Sequence, residues 1–108
     1  MHNITDIDFL HQLNVTNPEK SLKQLEQIKK GFRDIDKEKS HIIALSQKLS
    51  HMDAFVSLSS TRDLIKAKTL AQSEEGQLEF SHIVSDWAKK HKVEIEYKNK
   101  VVIYLKRV

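Results

Sequence analysis

A chain of 108 residues supports one hydrophobic core and is too short for two domains with a cleft between them. Charged residues make up 31% against 39% hydrophobic, and with only two Gly and one Pro this balance favours long amphipathic helices. The absence of cysteine excludes disulfide scaffolds, thiolate metal sites and thiol nucleophiles, and the formal net charge of +3 is unevenly spread: residues 89–108 hold 7 Lys/Arg against 2 Asp/Glu, residues 1–88 hold 11 against 13.

Residues 1–16 have a short apolar face at Phe9, Leu10 and Leu13 and predict a poorly ordered arm ahead of a single domain spanning 17–108. Neither a basic leader with an apolar run nor an 18-residue apolar stretch occurs, so the expected setting is cytoplasmic, without membrane contact. The Asn-x-Thr triplets at Asn3 and Asn14 then read as chance matches. At Asn17 the chain gains a capping side chain, Pro18 suits the first helical position, and Glu19 complements the positive helix end. From there Leu22, Leu25, Ile28, Phe32 and Ile35 recur at steps of three and four, and the series resumes at Ile42, Leu45, Leu49, Met52 and Val56.

Two outcomes are open for that stripe. One helix over 18–56 would be about 58 Å long and would need a second copy, giving a homodimer seamed by Leu25, Ile28, Phe32, Ile35, Ile42 and Leu49. A break between Asp34 and Ser40 would instead bury the stripe in a helical hairpin.

Beyond it, Ser60 is a candidate cap for a short helix over 61–72 with Leu64, Ile65, Ala67 and Ala71 inward, closed by a turn at Gly76. Residues 77–80 (QLEF) fit either a strand or the start of the next helix. That helix is expected over 81–92, capped by Ser81, with Phe80, Ile83, Val84, Trp87, Ala88 and His91 on one face. Val93, Ile95 and Tyr97, then Val101, Ile103 and Leu105, alternate as strands do. A three-residue loop at Lys98, Asn99 and Lys100 would set Tyr97 opposite Val101 and Ile95 opposite Ile103, with Asn99 left-handed. The fold class read from this is α+β, mostly helical, with three to four helices followed by a C-terminal antiparallel β-hairpin.

The chemistry-bearing residues offer little to an enzyme. None of the six His, at 2, 11, 41, 51, 82 and 91, stands three or four residues from another, so no metal site is expected; His91, beside Lys89, Lys90 and Lys92, is the one to watch. Two glycines do not make a phosphate cradle, and no nucleophile, base and orienting group fall together. No catalytic residue, cofactor or small-molecule substrate is therefore expected.

What remains is positive charge: Lys89, Lys90, Lys92, Lys98, Lys100, Lys106 and Arg107. With 77–80 as a strand, the order strand, helix, strand, strand resembles the end of a winged helix, with the helix at a groove and the hairpin lysines on phosphates. Lacking Arg in 81–105, such a surface would touch phosphates and read few bases. The expectation is a small non-enzymatic regulatory or accessory protein that binds nucleic acid weakly through this helix-hairpin surface. The alternative is a protein-interaction module, such as an inhibitor, immunity protein or chaperone-like adaptor, using the helical stripe or the hairpin edge.

Overall fold

The computed structural model describes residues 4–13, 15 and 17–107. Asn3 and Asn14, with the remaining undescribed positions of the expected arm (1, 2 and 16) and Val108 at the end of the expected domain, lie outside that set. In chain order the elements are α1 (Asp6–Gln12), α2 (Pro18–Gly31), α3 (Ile35–Leu49), β1 (Ala54–Leu58), β2 (Ile65–Thr69), α4 (Glu74–His91), β3 (Glu94–Tyr97) and β4 (Val102–Lys106). The strands form one antiparallel sheet ordered β1-β2-β4-β3. The class is α+β and mostly helical as expected, but the C-terminal hairpin is half of a four-stranded sheet.

Helix α2 starts as its sequence dictates, with the Asn17 side chain accepting from the Lys20 amide and Pro18 at the first turn. The long stripe is broken: Asp34 takes a left-handed conformation (φ 59°) and α3 sets off in a new direction. The seam proposed for a homodimer is therefore internal. Leu25, Ile28, Phe32, Ile35, Ile42 and Leu49 are all buried in the chain's own core and present no surface to a second copy. Where an arm is expected, residues 6–12 form α1, capped by Thr5, with Phe9 and Leu10 fully buried against that core.

Two expected helical stretches are strands. Met52 and Val56 continue the helical spacing, yet Asp53 turns left-handed (φ 54°) and residues 54–58 run extended. In 65–69, Ile65, Ala67 and Thr69 face inward with period two. Ile65 and Ala67 belong to both the helical and the strand pattern, so periodicity over so short a run does not separate them. No helix over 61–72 exists; Ser59, not Ser60, organises the loop, its hydroxyl accepting from the Thr61 and Arg62 amides.

Helix α4 begins at Glu74, with Ser73 accepting from the Gly76 amide. Residues 77–80 are helical, Ser81 is mid-helix, and the winged-helix order is absent. Gly76 is an early helix position rather than a turn: a Cβ there would come within 2.9 Å of the Ala71 Cβ, so the tight approach to the preceding loop requires glycine. In the hairpin, Tyr97 pairs with Ile103 and Ile95 with Leu105. The register differs by two residues from the expected one, which leaves every side chain on its expected face. Asn99 keeps an ordinary backbone and its side-chain oxygen accepts from the amides of Val101 and Val102, both at 2.9 Å.

The helices gather on one face of the sheet, above Val56, Ile65, Ala67, Ile103 and Leu105. The other face carries Phe55, Lys66, Lys68, Val102, Tyr104, Lys106, Glu94 and Glu96 and has no described helix over it.

Candidate functional site

The seven expected cations do not share a surface. Lys89 and Lys90 lie in the last turn of α4 and Lys92 follows it in a left-handed conformation (φ 57°). Lys100 instead borders a hollow beside Glu74 and Gln77, at the other end of the same helix. At 1.5 Å per residue, Gln77 and Lys89 are roughly 18 Å apart along the axis. Lys98 and Lys100, at the hairpin tip, thus form a separate group from Lys89, Lys90 and Lys92.

Lys106 is paired but accessible on the sheet face, and Arg107 is engaged internally. Lys106 Nζ bonds Glu96 Oε1 at 3.0 Å. Arg107 donates to the carbonyls of His91 and Lys92 and lies 3.3 Å from Glu38 Oε1, while its backbone links to Gly31 and Arg33. Its backbone thus ties the end of the sheet to the α2–α3 turn, and its side chain ties it to α3 and the end of α4.

A different set of cations does converge, on the open sheet face. The register aligns Ser57, Lys66, Tyr104 and Glu96 in one cross-strand row and Phe55, Lys68 and Val102 in the next. Arg62, from the β1–β2 loop, lies over the Tyr104 ring at 4.9 Å and reaches Glu96 Oε2 at 2.5 Å. Lys98 continues the β3 side of this face, its amide donating to the Val102 carbonyl. Burial pushes the Tyr104 phenol up, but hydrogen bonding to Thr61 and Ser59 and the charges of Lys98 and Arg62 outweigh it and leave it below its ordinary value. Hydrogen bonds from Arg62, then Lys106, hold the Glu96 carboxyl below the usual carboxylate range.

Five cations (Arg62, Lys66, Lys68, Lys98, Lys106) thus meet two carboxylates (Glu94, Glu96), which equals the chain's whole formal excess of +3. Arg62, Lys66 and Lys68 were missed because they lie in a stretch read as helix. The alternation Ile-Lys-Ala-Lys-Thr was the available signal.

A second grouping lies between α3 and α4. Glu38 and His41, one turn apart on α3, meet His91 from the end of α4. The imidazoles of His41 and His91 stack with centroids 4.1 Å apart, and Glu38 Oε2 lies 2.8 Å from His41 Nδ1. Trp87 fixes the junction by donating its indole N–H to the His41 carbonyl at 3.0 Å. Burial raises the Glu38 carboxyl, but His41 and Arg107 more than compensate and it sits below its usual range. Burial, then the His41 charge, lowers His91. His41, Trp87 and His91 border a cleft of about 470 Å³ shared with Lys48, Asp86 and Lys90. Counting spacings between histidines alone hides this group; Glu-x-x-His on α3 was its one local mark.

A third feature is the hollow by the hairpin, about 350 Å³, where Leu78 and Tyr97 are exposed by 57% and 52% and Tyr97 Oη lies 2.9 Å from Ser81 Oγ. Among the described residues no helix is long and apolar enough to cross a membrane. No protein-family model, curated protein or solved structure matches the chain, so its function has to be read from its own geometry.

Proposed function

We propose that the chain is a small, non-enzymatic, cytoplasmic regulatory or accessory protein that binds nucleic acid, and that the contact surface is the open face of the sheet with the hairpin tip. The observation that supports it is the convergence of Arg62, Lys66, Lys68, Lys98 and Lys106 on a face that no helix covers among the described residues. Such a face neutralises phosphates and releases counterions, the dominant and sequence-independent part of nucleic-acid affinity. A sheet face with an aromatic side chain on it suits a single strand better than a duplex groove. Phe55, half-buried on β1, and the Arg62 guanidinium supply planes on which unpaired bases stack. Lys89, Lys90 and Lys92, at the C-terminal end of α4, are peripheral to this surface.

The test is fluorescence anisotropy with a single-stranded oligonucleotide and the matching duplex over a salt series. Single-strand binding that weakens steeply with salt is expected, and reversing Lys66, Lys68 and Lys98 to Glu lowers affinity at least about tenfold while Lys89→Glu/Lys90→Glu retains it. No binding at low salt, or loss on the α4 reversal with none on the sheet reversal, overturns the reading.

A second reading, a protein-interaction module, is favoured by one observation: Leu78 and Tyr97 stand exposed beside the unpaired edge of β3. An extended peptide added to that edge would lay a side chain in the hollow. The helical stripe is no longer available for this role.

A further inference from the structure

Glu38, His41 and His91 each bring one ligand atom to within 4.8 Å of the other two. We propose that they form a binding site for a divalent transition-metal ion of the zinc class, held between α3 and α4.

Three features support this assignment. Two imidazoles and one carboxylate form a borderline donor set suited to zinc, nickel or cobalt rather than to calcium or magnesium. Among the described residues, Nε2 of His41 and both ring nitrogens of His91 have no hydrogen-bond partner, and both rings line the cleft. The carboxylate is held from behind, with Arg107 3.3 Å from Glu38 Oε1 while Oε2 faces His41. Outer partners of this kind fix the orientation of ligating groups.

The stacked rings must turn to accept the ion. Ligand bonds of about 2.1 Å in a tetrahedral site leave ligand atoms roughly 3.4 Å apart, so the widest separation closes by about 1.4 Å. Rotation of two imidazoles at a cleft rim achieves this without moving either helix, because the His41 side chain is 46% exposed and the backbone is pinned by Trp87. Arg107, Lys90 and Lys48 oppose the ion's charge and Asp86 offsets part of it. With three protein ligands the site holds the ion less tightly than a closed structural zinc site of four, and its fourth coordination position is open to water or an exchangeable ligand.

The experiment titrates the full chain, stripped with chelator and dialysed, with zinc chloride by calorimetry and with nickel chloride by fluorescence. Trp87 is the only tryptophan and lies 5.2 Å from the His91 ring, so nickel at the site quenches it. The expected result is one saturable site, weakened at least tenfold by His41→Ala, by His91→Ala and by Glu38→Gln, and unchanged by His82→Ala. Circular dichroism spectra of all variants that match the wild type exclude a folding effect. Absence of saturable binding, or a site of equal affinity in the His41→Ala/His91→Ala double variant, overturns the proposal, in the latter case because another histidine is the ligand.

Discussion

Glu38 and Lys39 are neighbours in sequence, yet they belong to two polar clusters on different flanks of α3, and the clusters differ in kind. Lys39 is almost fully buried; its ammonium bonds Asp6 at 2.7 Å, Asp36 at 2.8 Å and the Ile4 carbonyl at 3.0 Å, which accounts for all three donors. Lys29 completes the group at 2.8 Å from Asp6 and 3.5 Å from Glu26, so two cations face three carboxylates with the Phe9 ring alongside. On the other flank Glu38, His41, His91 and Arg107 leave ring nitrogens unengaged at a cleft. A cluster with every donor and acceptor matched holds helices together; one with spare lone pairs beside open space is suited to a ligand.

The largest effect that separates the two comes from the floor of the first cluster. Phe9→Ala removes a fully buried ring beneath Lys39 and is expected to cost about 3–5 kcal/mol in urea unfolding. A loss below about 1 kcal/mol would mean that α1 is not part of the cooperative core, and the clasp would have no structural role.

Next comes Asp6→Asn, expected to cost about 1–3 kcal/mol. Lys39 loses a buried partner, but Asp6 is a quarter exposed and solvent screens part of the effect. Burial alone would raise the Asp6 carboxyl; the bonds from Lys29 and Lys39 outweigh it and hold it below the ordinary value of 3.8. A depressed folded value means a stabilisation fully present above the unfolded value and lost as pH falls through the folded one. Lys29 is the mirror case: its bond to Asp6 raises it above 10.5, so its contribution is present below that value and is lost as pH rises through the folded one. Unfolding midpoints measured across pH should show both limbs in the wild type and neither contribution from this pair in Asp6→Asn.

Neither cluster could be assembled from sequence, although much around them could. Asn17 and Pro18 announced α2, the stripe from Phe80 to His91 announced the face of α4, and the alternation from Val93 to Leu105 announced the hairpin and its inward side. The sequence hid the turns. Asp34, Asp53 and Lys92 adopt left-handed conformations without glycine, so the usual punctuation was missing and β1 read as the tail of a helix. With β1 and β2 unrecognised there was no four-stranded sheet, and hence no open face to gather Arg62, Lys66 and Lys68. His41 and His91 are fifty residues apart in the chain, and only the packing of α3 on α4 makes them neighbours.

The smallest effect tests the second flank. Glu38→Gln keeps the shape and an acceptor oxygen for Arg107, whose guanidinium also bonds the carbonyls of His91 and Lys92. Loss of the charge-assisted bond to Arg107 should therefore cost about 1 kcal/mol, less than in Asp6→Asn, because Asp6 serves two lysines and Glu38 serves one arginine that keeps other partners. If it matched the loss in Asp6→Asn, the α3–α4 cluster would be a second structural clasp, and the contrast between satisfied and open polar groups would fail. A small loss, set beside the ligand dependence of the same variant, would separate holding the helices together from serving a ligand within one α-helix whose adjacent residues point about 100° apart.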